Sequence, residues 1–262
     1  MLGSIIGDIV GSRFEFRNCR SKDFEFFDDR CIFTDDTVCT VATMQWLIEC
    51  RNEGRQTDYA PILQHWCRRY DEAERSYGRN FLHWIENPKP YGSYGNGAGM
   101  RVAAVGMAFA DEQQVLDYAK ITAEVSHNHR EGIKGAQAIA LAVYMAKKKR
   151  SQAEIVSEIA NRFGYDMNDT CDGMRETNGF DETCQITVPQ AIICFAESRD
   201  YEDAIRNAIS IGGDSDTIAA MTGGIAEAFY GGVPESIAKQ ARMFLPNDML
   251  QVIDNFYATF SL

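Results

Sequence analysis

The chain has 262 residues, of which 26 are Lys or Arg and 38 are Asp or Glu, so its formal net charge is −12. A chain of this length buries a sizeable hydrophobic core without disulfide or metal staples, and 45% apolar with 11% aromatic residues exclude a disordered chain. The acidic excess argues against nucleic-acid backbones and anionic membrane surfaces as partners, since both are bound through basic residues.

The N-terminal segment lacks the features of a secretory signal peptide. It has no basic n-region, and Asp8 interrupts its apolar stretch. The longest apolar run, 138–146, covers nine residues, which is too short to span a bilayer. The eight cysteines form no CxxC pair and have no regular spacing. We therefore expect a cytoplasmic protein with reduced cysteines.

Small residues recur in the first predicted helix. They are Gly3, Ser4, Gly7, Gly11 and Ser12. A helix with such residues can pack closely against a neighbour. Glu15 follows this segment and, on physical grounds alone, is an ordinary surface acid.

Helical periodicity dominates the rest of the chain, and strand patterns are weak. Apolar residues recur three or four positions apart in the segments 38–48, 133–144 and 218–229. Segments 97–124 and 183–198 are also compatible with helices. These patterns predict an all-α fold with about ten or more helices.

Three segments between the helical patterns are predicted to be loops. They cover residues 17–33, 87–96 and 163–183, of which the last is polar and rich in Asp, Asn and Gly. None of them is a convincing domain linker, so we expect a single domain covering residues 1–262.

Two tight groups of carboxylates each precede a helical pattern. Residues 33–37 read Phe-Thr-Asp-Asp-Thr, and residues 212–217 read Gly-Gly-Asp-Ser-Asp-Thr. One interpretation is N-capping, because Asp and Thr accept backbone N–H groups at a helix start and the helix dipole favours negative charge there. The other is a cation site, because each group supplies two carboxylates and an adjacent hydroxyl, which is more than one cap needs.

The second interpretation assumes that the two groups meet in space. Four carboxylates that meet repel one another unless they are protonated or neutralised by cations. Oxygen ligands of the Asp and Thr type suit Mg²⁺, Ca²⁺ or Mn²⁺. On that assumption we predict a two-metal site between helix starts near residues 35 and 215, and the Gly-Gly pair before Asp214 would permit tight backbone geometry.

Two further polar stretches are candidates for ligand binding. Residues 91–99 are glycine-rich and precede a helical segment, so their N–H groups could cradle an anion or form an ordinary turn. The tyrosines in this stretch offer a stacking surface. Residues 126–129 read Ser-His-Asn-His, and histidines at i and i+2 share no helix face, which disfavours a helical zinc pair. One of these imidazoles contacts a ligand, or both are hydrogen-bonded loop residues.

Together these segments resemble the ADP-ribosylglycohydrolase family, which contains the dinitrogenase-reductase-activating glycohydrolase and the ADP-ribosyl-acceptor hydrolases. The resemblance runs nearly end to end, and the two acidic motifs, in this order and spacing, are its most specific part. The segments that carry it are Gly7-Asp8 with 11–15, 34–37, 94–97 with Met100-Arg101, 126–129 and 212–217. One departure is His129-Arg130 where the family commonly has His-Pro, which bears on loop shape and acceptor preference.

The resemblance implies a compact orthogonal bundle of helices with a central cleft for two divalent metal ions, Mg²⁺ or Mn²⁺. The implied metal ligands are Thr34, Asp35, Asp36, Asp214, Asp216 and Thr217, with Asp216 as the bridge. Glu15 matches a mobile acidic residue near the cleft of the family. The implied substrate-binding residues, near the diphosphate and distal ribose of ADP-ribose, are Gly92, Ser93, Tyr94, Gly95, Asn96 and His127.

The implied reaction is hydrolysis of the bond between ribose C1″ and an acceptor atom of an ADP-ribosylated protein, through an oxocarbenium-like transition state. The catalytic candidates are Glu15, Asp35, Asp36 and Asp214, and which of the three aspartates is the general base stays open. The acceptor, arginine or serine, stays open as well, and a monomer is favoured. The alternatives are hydrolysis of O-acetyl-ADP-ribose or another small ADP-riboside, and a non-catalytic ADP-ribose-binding or immunity protein.

Overall fold

Helices supply nearly all regular structure of this computed structural model, which describes residues 1–71 and 77–262. Within these ranges the only strand-like pairing is an isolated bridge between Gly95 and Thr183. The predicted all-α class is therefore confirmed. The helices are α1 (Leu2–Gly11), a 3₁₀ turn (Ser12–Phe14), α2 (Asp35–Glu53), α3 (Tyr59–Arg69), α4 (Arg79–Glu86), α5 (Gly97–Met100), α6 (Ala103–Ala108), α7 (Glu112–Glu124), α8 (Arg130–Lys147), α9 (Gln152–Phe163), α10 (Cys171–Thr177), α11 (Cys184–Ala196), α12 (Tyr201–Ser210), α13 (Ser215–Tyr230), α14 (Glu235–Arg242) and α15 (Asn247–Phe260).

Helices α1 and α13 pack against each other in the centre of the fold. Every residue of α1 is buried, and so is nearly all of α13. A Cβ atom added to Gly7 would lie 2.1 Å from the carbonyl oxygen of Ala219, and one added to Gly11 would lie 2.4 Å from Cα of Asp216. Only glycine fits at such distances, so the predicted close packing of the first helix is confirmed. This packing places Asp8 beside the start of α13.

The three strongest helical patterns correspond to α2, α8 and α13. Segment 97–124 instead divides into α5, α6 and α7. The chain becomes extended at Phe109, and Asp111 then caps α7 by accepting the N–H of Gln114 at 3.0 Å. A local cap therefore starts a new helix in a segment whose pattern looks continuous.

The predicted loop 163–183 contains a helix, in contrast to the loops 17–33 and 87–96, which are free of helix. Thr170 caps this helix, α10, by accepting the N–H of Gly173, and Cys171 and Met174 are buried beneath it. Two buried side chains and one cap are enough to order the turn, although its composition is polar.

A continuous cluster of buried apolar side chains extends from α1 to α15. All eight cysteines are free, as expected from their spacing, and seven of them are buried. Within the described ranges, none of the helices combines the length and apolar character needed to traverse a bilayer.

Candidate active site

The two acidic groups converge where α2 and α13 begin. The hydroxyl of Thr217 donates to Oδ2 of Asp36 at 3.2 Å, across 181 positions of the chain. Both residues are buried, and both line the same cavity. The convergence that the sequence interpretation had to assume is therefore present in the fold.

The carboxylate oxygens form two overlapping groups. One oxygen each from Asp8, Asp36 and Asp216 lie within 4.8 Å of one another, and the same holds for Glu15, Asp214 and Asp216. Asp216 belongs to both groups. An acid shared in this way has the position that a ligand bridging two cations requires.

Helix capping explains only part of this arrangement. Thr34 is the N-cap of α2, and its side chain accepts the backbone N–H of Asp36 at 3.3 Å. Asp214 occupies the N-cap position of α13, yet its side chain makes no capping hydrogen bond. Its Oδ2 instead accepts a hydrogen bond from Nδ2 of Asn96 at 2.6 Å. The first group thus contains a true cap, whereas the side chain of Asp214 is held by Asn96 and does not cap its own helix.

Asp8 belongs to one segment of the family resemblance, but no role in the site was predicted for it from the sequence. Its carboxylate accepts the backbone N–H and the hydroxyl of both Thr34 and Thr37. Burial raises the pKa of Asp8 from 3.8 to about 6, and the hydrogen bonds from the two threonines oppose that rise. Besides the resemblance, the signal was a carboxylate inside an apolar helix of small residues, since such a helix has no solvent-facing side for it.

The electrostatics of the site favour bound cations. Burial, reinforced by neighbouring carboxylates, holds the pKa values of Asp36 and Asp216 well above their usual range. Burial, with Asp214 as the next cause, raises the pKa of Glu15 to about 8. Oδ1 of Asp36 is buried and has no hydrogen-bond partner within residues 1–71 and 77–262. Oxygen-only donors, a shared carboxylate and this unpartnered oxygen all fit a pair of hard divalent cations.

A tight turn delivers Asp214 to the site. Gly212 and Gly213 have φ values of +68° and +80°, the left-handed region that favours glycine. Asn18 holds this turn, because its Nδ2 donates to the carbonyl oxygen of Gly213 at 2.8 Å and its Oδ1 accepts the N–H of Gly213 at 2.9 Å. Asn18 lies in the predicted loop 17–33, and nothing in the local sequence marks it as a partner of residue 213.

A cavity of about 270 Å³ opens onto the acidic groups. Most of the predicted site residues line it, and these are Glu15, Asp35, Asp36, Ser93, Gly95, Asn96, His127, Asp214, Asp216 and Thr217. The other three predicted residues, Thr34, Gly92 and Tyr94, are not part of its wall. The structure therefore brings together both acidic groups, part of the glycine-rich loop and one histidine.

The glycine-rich loop presents side chains to the cavity more than free backbone N–H groups. Gly92 donates its N–H to the side chain of Asn128 at 2.7 Å, and Asn96 donates its N–H to the carbonyl oxygen of Glu182 at 2.7 Å. These bonds anchor the loop and occupy donors that an anion would otherwise use. The side chains of Ser93 and Asn96 remain at the cavity wall.

The two histidines of the Ser-His-Asn-His segment have different roles. His129 is the N-cap of α8, where its Nδ1 accepts the N–H of Glu131 at 3.2 Å, and its ring packs against Tyr94. His127 is buried and lines the cavity. Of the two interpretations, ligand contact fits His127 and a hydrogen-bonded structural role fits His129.

Two arginines also line the cavity, Arg79 and Arg101. Arg79 is exposed, whereas Arg101 has no exposed surface. Neither residue was predicted to bind a ligand, because a net charge of −12 does not reveal local positive charge. They give an otherwise acidic cavity a region that can attract an anionic group.

Comparison with known proteins shows the family and the fold of the chain. The model of the ADP-ribosylglycohydrolase family matches residues 1–261. The human protein ADP-ribosylhydrolase ARH3 is 25% identical over 330 residues, which cover 95% of this chain and 90% of that protein. The mouse protein of the same name is 26% identical and covers 95% of this chain and 88% of its own length. A solved structure, "ADP-ribosylglycohydrolase-related protein complex", has a TM-score of 0.72 at 21% identity and covers 98% of this chain and 95% of that one, which supports the same fold.

Proposed function

The chain belongs to the ADP-ribosylglycohydrolase family, and on this premise we propose that it is a metal-dependent hydrolase that reverses mono-ADP-ribosylation of proteins. Glycohydrolase activity on ADP-ribose linkages follows from the family and from the ARH3 relatives. The cation requirement and the protein acceptor, arginine or serine, are parts of the proposal. The observation that carries it is the meeting of buried carboxylates from α1, α2 and α13, of which those from α2 and α13 line one cavity. We treat residues 1–262 as one catalytic domain.

Two divalent cations, Mg²⁺ or Mn²⁺, suit this donor set. The proposed ligands are Thr34, Asp35, Asp36, Asp214, Asp216 and Thr217, with Asp216 between the two positions. When bound, the cations would supply Lewis acidity toward the ribose oxygens and the attacking water. Removing them would leave several buried carboxylates in mutual repulsion, which the raised pKa values of Asp36 and Asp216 reflect.

The chain's own residues hold this centre in a fixed geometry. Asp8 binds Thr34 and Thr37, and so fixes the start of α2 from which Asp35 and Asp36 reach the cavity. Asn96 holds Oδ2 of Asp214 from the opposite wall. Such pre-organisation lowers the reorganisation needed as charge develops at ribose C1″.

The general base is one of the three aspartates Asp35, Asp36 and Asp214, all of which line the cavity. Oδ2 of Asp214 is engaged by Asn96, whereas Oδ1 of Asp36 has no hydrogen-bond partner among the described residues. Glu15, at the cavity edge, has a pKa of about 8 in the cation-free protein and there retains its proton at neutral pH. These differences make the three aspartates and Glu15 separable by mutation.

The cavity wall beyond the acidic groups suits the rest of ADP-ribose. Ser93, Asn96 and His127 offer polar side chains for the diphosphate and the distal ribose, and Arg79 adds positive charge at the surface. An acidic protein thus binds an anionic ligand through local groups and not through its overall charge. The proposed partners are ADP-ribosylated proteins or a small ADP-riboside, bound by a monomer, and nucleic-acid backbones are not expected.

A substrate panel tests this proposal. The purified chain, with Mg²⁺ present and with EDTA, is offered an ADP-ribosyl-arginine peptide, an ADP-ribosyl-serine peptide and O-acetyl-ADP-ribose, and released ADP-ribose is measured by chromatography. We expect Mg²⁺-dependent release from one of the two peptides. Turnover of O-acetyl-ADP-ribose alone would replace protein by a small ADP-riboside as substrate. Binding of ADP-ribose without turnover of any conjugate would identify a non-catalytic binder and contradict the proposal.

A further inference from the structure

We propose that Arg101, acting through Ser126, holds His127 in the neutral tautomer that carries its hydrogen on Nε2. In this form His127 donates a hydrogen bond into the cavity. Arg101 and Ser126 are then positioning residues for the ligand. That the ligand is ADP-ribose rests on the proposed function, whereas the tautomer does not.

A chain of short hydrogen bonds connects the three residues. Nη2 of Arg101 donates to Oγ of Ser126 at 2.9 Å and to the carbonyl oxygen of Thr122 at 2.7 Å. Oγ of Ser126 lies 2.8 Å from Nδ1 of His127. A guanidinium has no acceptor, so the serine oxygen must accept from Arg101. The direction of the hydrogen bond from Arg101 to Ser126 is therefore fixed.

The hydroxyl hydrogen of Ser126 fixes the direction of the second bond. Ser126 has no exposed surface, and in the described part of the chain its hydroxyl meets only Arg101 and His127. A hydrogen on Nδ1 would point at the same oxygen and leave the hydroxyl hydrogen buried without an acceptor, which is costly. The favoured arrangement donates the hydroxyl hydrogen to Nδ1. The imidazole hydrogen then resides on Nε2.

Burial and, next to it, the charge on Arg101 keep the imidazole neutral. Nε and Nη1 of Arg101 are buried without hydrogen-bond partners in the described ranges, and the guanidinium lies 6.0 Å from the ring centre of Tyr59 and 5.9 Å from that of Phe81. A protonated His127 would add a second cation to this apolar surrounding. Burial, followed by the charge of Arg101, lowers the pKa of His127 well below its usual range.

Nε2 of His127 faces the cavity at the glycine-rich loop. A Cβ atom added to Gly97 would lie 3.0 Å from Nε2, and one added to Gly95 would lie 3.7 Å away. Both glycines and His127 line the cavity. Nε2 makes no hydrogen bond to the protein across residues 1–71 and 77–262. Its hydrogen is therefore available to an anionic or hydroxyl oxygen of a ligand.

Nitrogen NMR of the histidine rings tests the tautomer directly. Two-bond ¹H–¹⁵N correlations are recorded on the full chain between about pH 6 and about pH 8, and the His127 resonances are assigned by their loss in His127→Gln. We expect the neutral Nε2–H pattern throughout. We also expect the Nδ1 resonance to move in Ser126→Ala, which loses its hydrogen-bond donor, and to stay in place in Thr122→Val. The latter removes a buried hydroxyl that donates to Ala119. An Nδ1–H or cationic ring in the wild type, or an unmoved Nδ1 resonance in Ser126→Ala, would overturn the assignment.

Calorimetric titration with ADP-ribose tests the positioning role. Ser126→Ala should bind ADP-ribose about tenfold more weakly, as expected if the hydrogen bond from Nε2 of His127 to a charged oxygen of the ligand is lost. Thr122→Val should bind ADP-ribose as the wild type does. Equal affinity in Ser126→Ala and the wild type would overturn the role. A wild type that shows the Nε2–H pattern yet binds no ADP-ribose would contradict the proposed function and still support the tautomer.

Discussion

Thr34 donates both its backbone N–H and its hydroxyl to the carboxylate of Asp8, at 2.9 Å and 2.7 Å. This pair joins the central helix α1 to the residue that caps α2. Asp35 and Asp36 follow immediately, so their direction depends on a carboxylate that itself makes no part of the cavity wall. A buried acid outside the cavity wall thus positions the start of α2 and the two carboxylates that follow it.

Replacing Asp8 by Asn should reduce activity without abolishing the fold. The amide keeps the size of the side chain but replaces one acceptor oxygen by an NH₂ donor. This donor would face a donor group of Thr34 or Thr37, so at least one hydrogen bond would be lost. We expect kcat/KM for ADP-ribose release to fall at least about tenfold, since one or more buried hydrogen bonds are lost. Asp254→Asn, at an exposed ion pair with Arg242, is the matched control and should retain full activity. Wild-type turnover in Asp8→Asn would contradict the positioning role.

Replacing Gly7 by Ala should destabilise the fold strongly. The new Cβ would lie 2.1 Å from the carbonyl oxygen of Ala219, so α1 and α13 must move apart. We expect the free energy of unfolding, from urea denaturation, to fall by about 3 kcal/mol. Gly179→Ala adds the same methyl group to open space and should change it by less than about 0.5 kcal/mol. Similar changes in the free energy of unfolding for both variants would contradict the close approach of α1 to α13 at Gly7.

The cation-free protein should lose stability as pH rises. The folded-state pKa of Asp8 is about 6 against an ordinary 3.8, so the native state keeps a proton that the unfolded state releases in this interval. Asp8 therefore contributes stability that is fully present below about pH 4 and is lost as pH rises through about 6. The free energy of unfolding should fall by an amount on the order of 3 kcal/mol over this interval. Glu15, with a pKa of about 8, continues the trend.

Thermal unfolding in EDTA and in Mg²⁺, at about pH 5 and about pH 8, measures this dependence. Cations compete with protons for the same carboxylates, so Mg²⁺ should raise Tm more at the higher pH. A larger effect of Mg²⁺ at the lower pH would be inconsistent with a site of buried carboxylates.

Asn18 should matter for cation binding although it is remote from the ligands in sequence. Asn18→Ala removes both hydrogen bonds to Gly213 and loosens the turn before Asp214. We expect Mg²⁺ affinity, measured by calorimetry, to fall about tenfold, which is within the range for groups that orient metal ligands. Asn161→Ala, which removes an exposed side chain on α9, should leave it unchanged. Unaltered Mg²⁺ affinity in Asn18→Ala would show that the turn keeps its conformation without the side chain of Asn18, and would contradict this prediction.

The sequence was sufficient for the helices whose apolar pattern is regular, such as α2, α8 and α13, and for the two acidic groups at the starts of α2 and α13. It could not establish that Asp36 and Thr217 meet, because that contact spans 181 positions and depends on how α1 packs against α13. Local patterns also missed α10, since its polar composition conceals the buried Cys171 and Met174.

The finer assignments at the cavity wall depended on contacts that no spacing encodes. The local spacing does not distinguish His127 from His129, and only the family resemblance pointed to His127, which lines the cavity whereas His129 caps α8. The glycine-rich stretch left an anion cradle and an ordinary turn open, and the N–H groups of Gly92 and Asn96 are bonded to neighbouring loops. The role of Tyr94 in stacking stays a prediction, and its ring packs against His129 outside the cavity wall.

The most direct test of the two-cation hydrolase is the rate of ADP-ribose release by EDTA-stripped protein as Mg²⁺ is added back, for the wild type and for Asp216→Asn. Asp216 lies in both carboxylate groups, so the variant should disturb both cation positions. We predict negligible release without cation, recovery with Mg²⁺ in the wild type, and a loss on the order of a thousandfold in Asp216→Asn. Full turnover by the cation-free wild type, or by Asp216→Asn, would contradict the account.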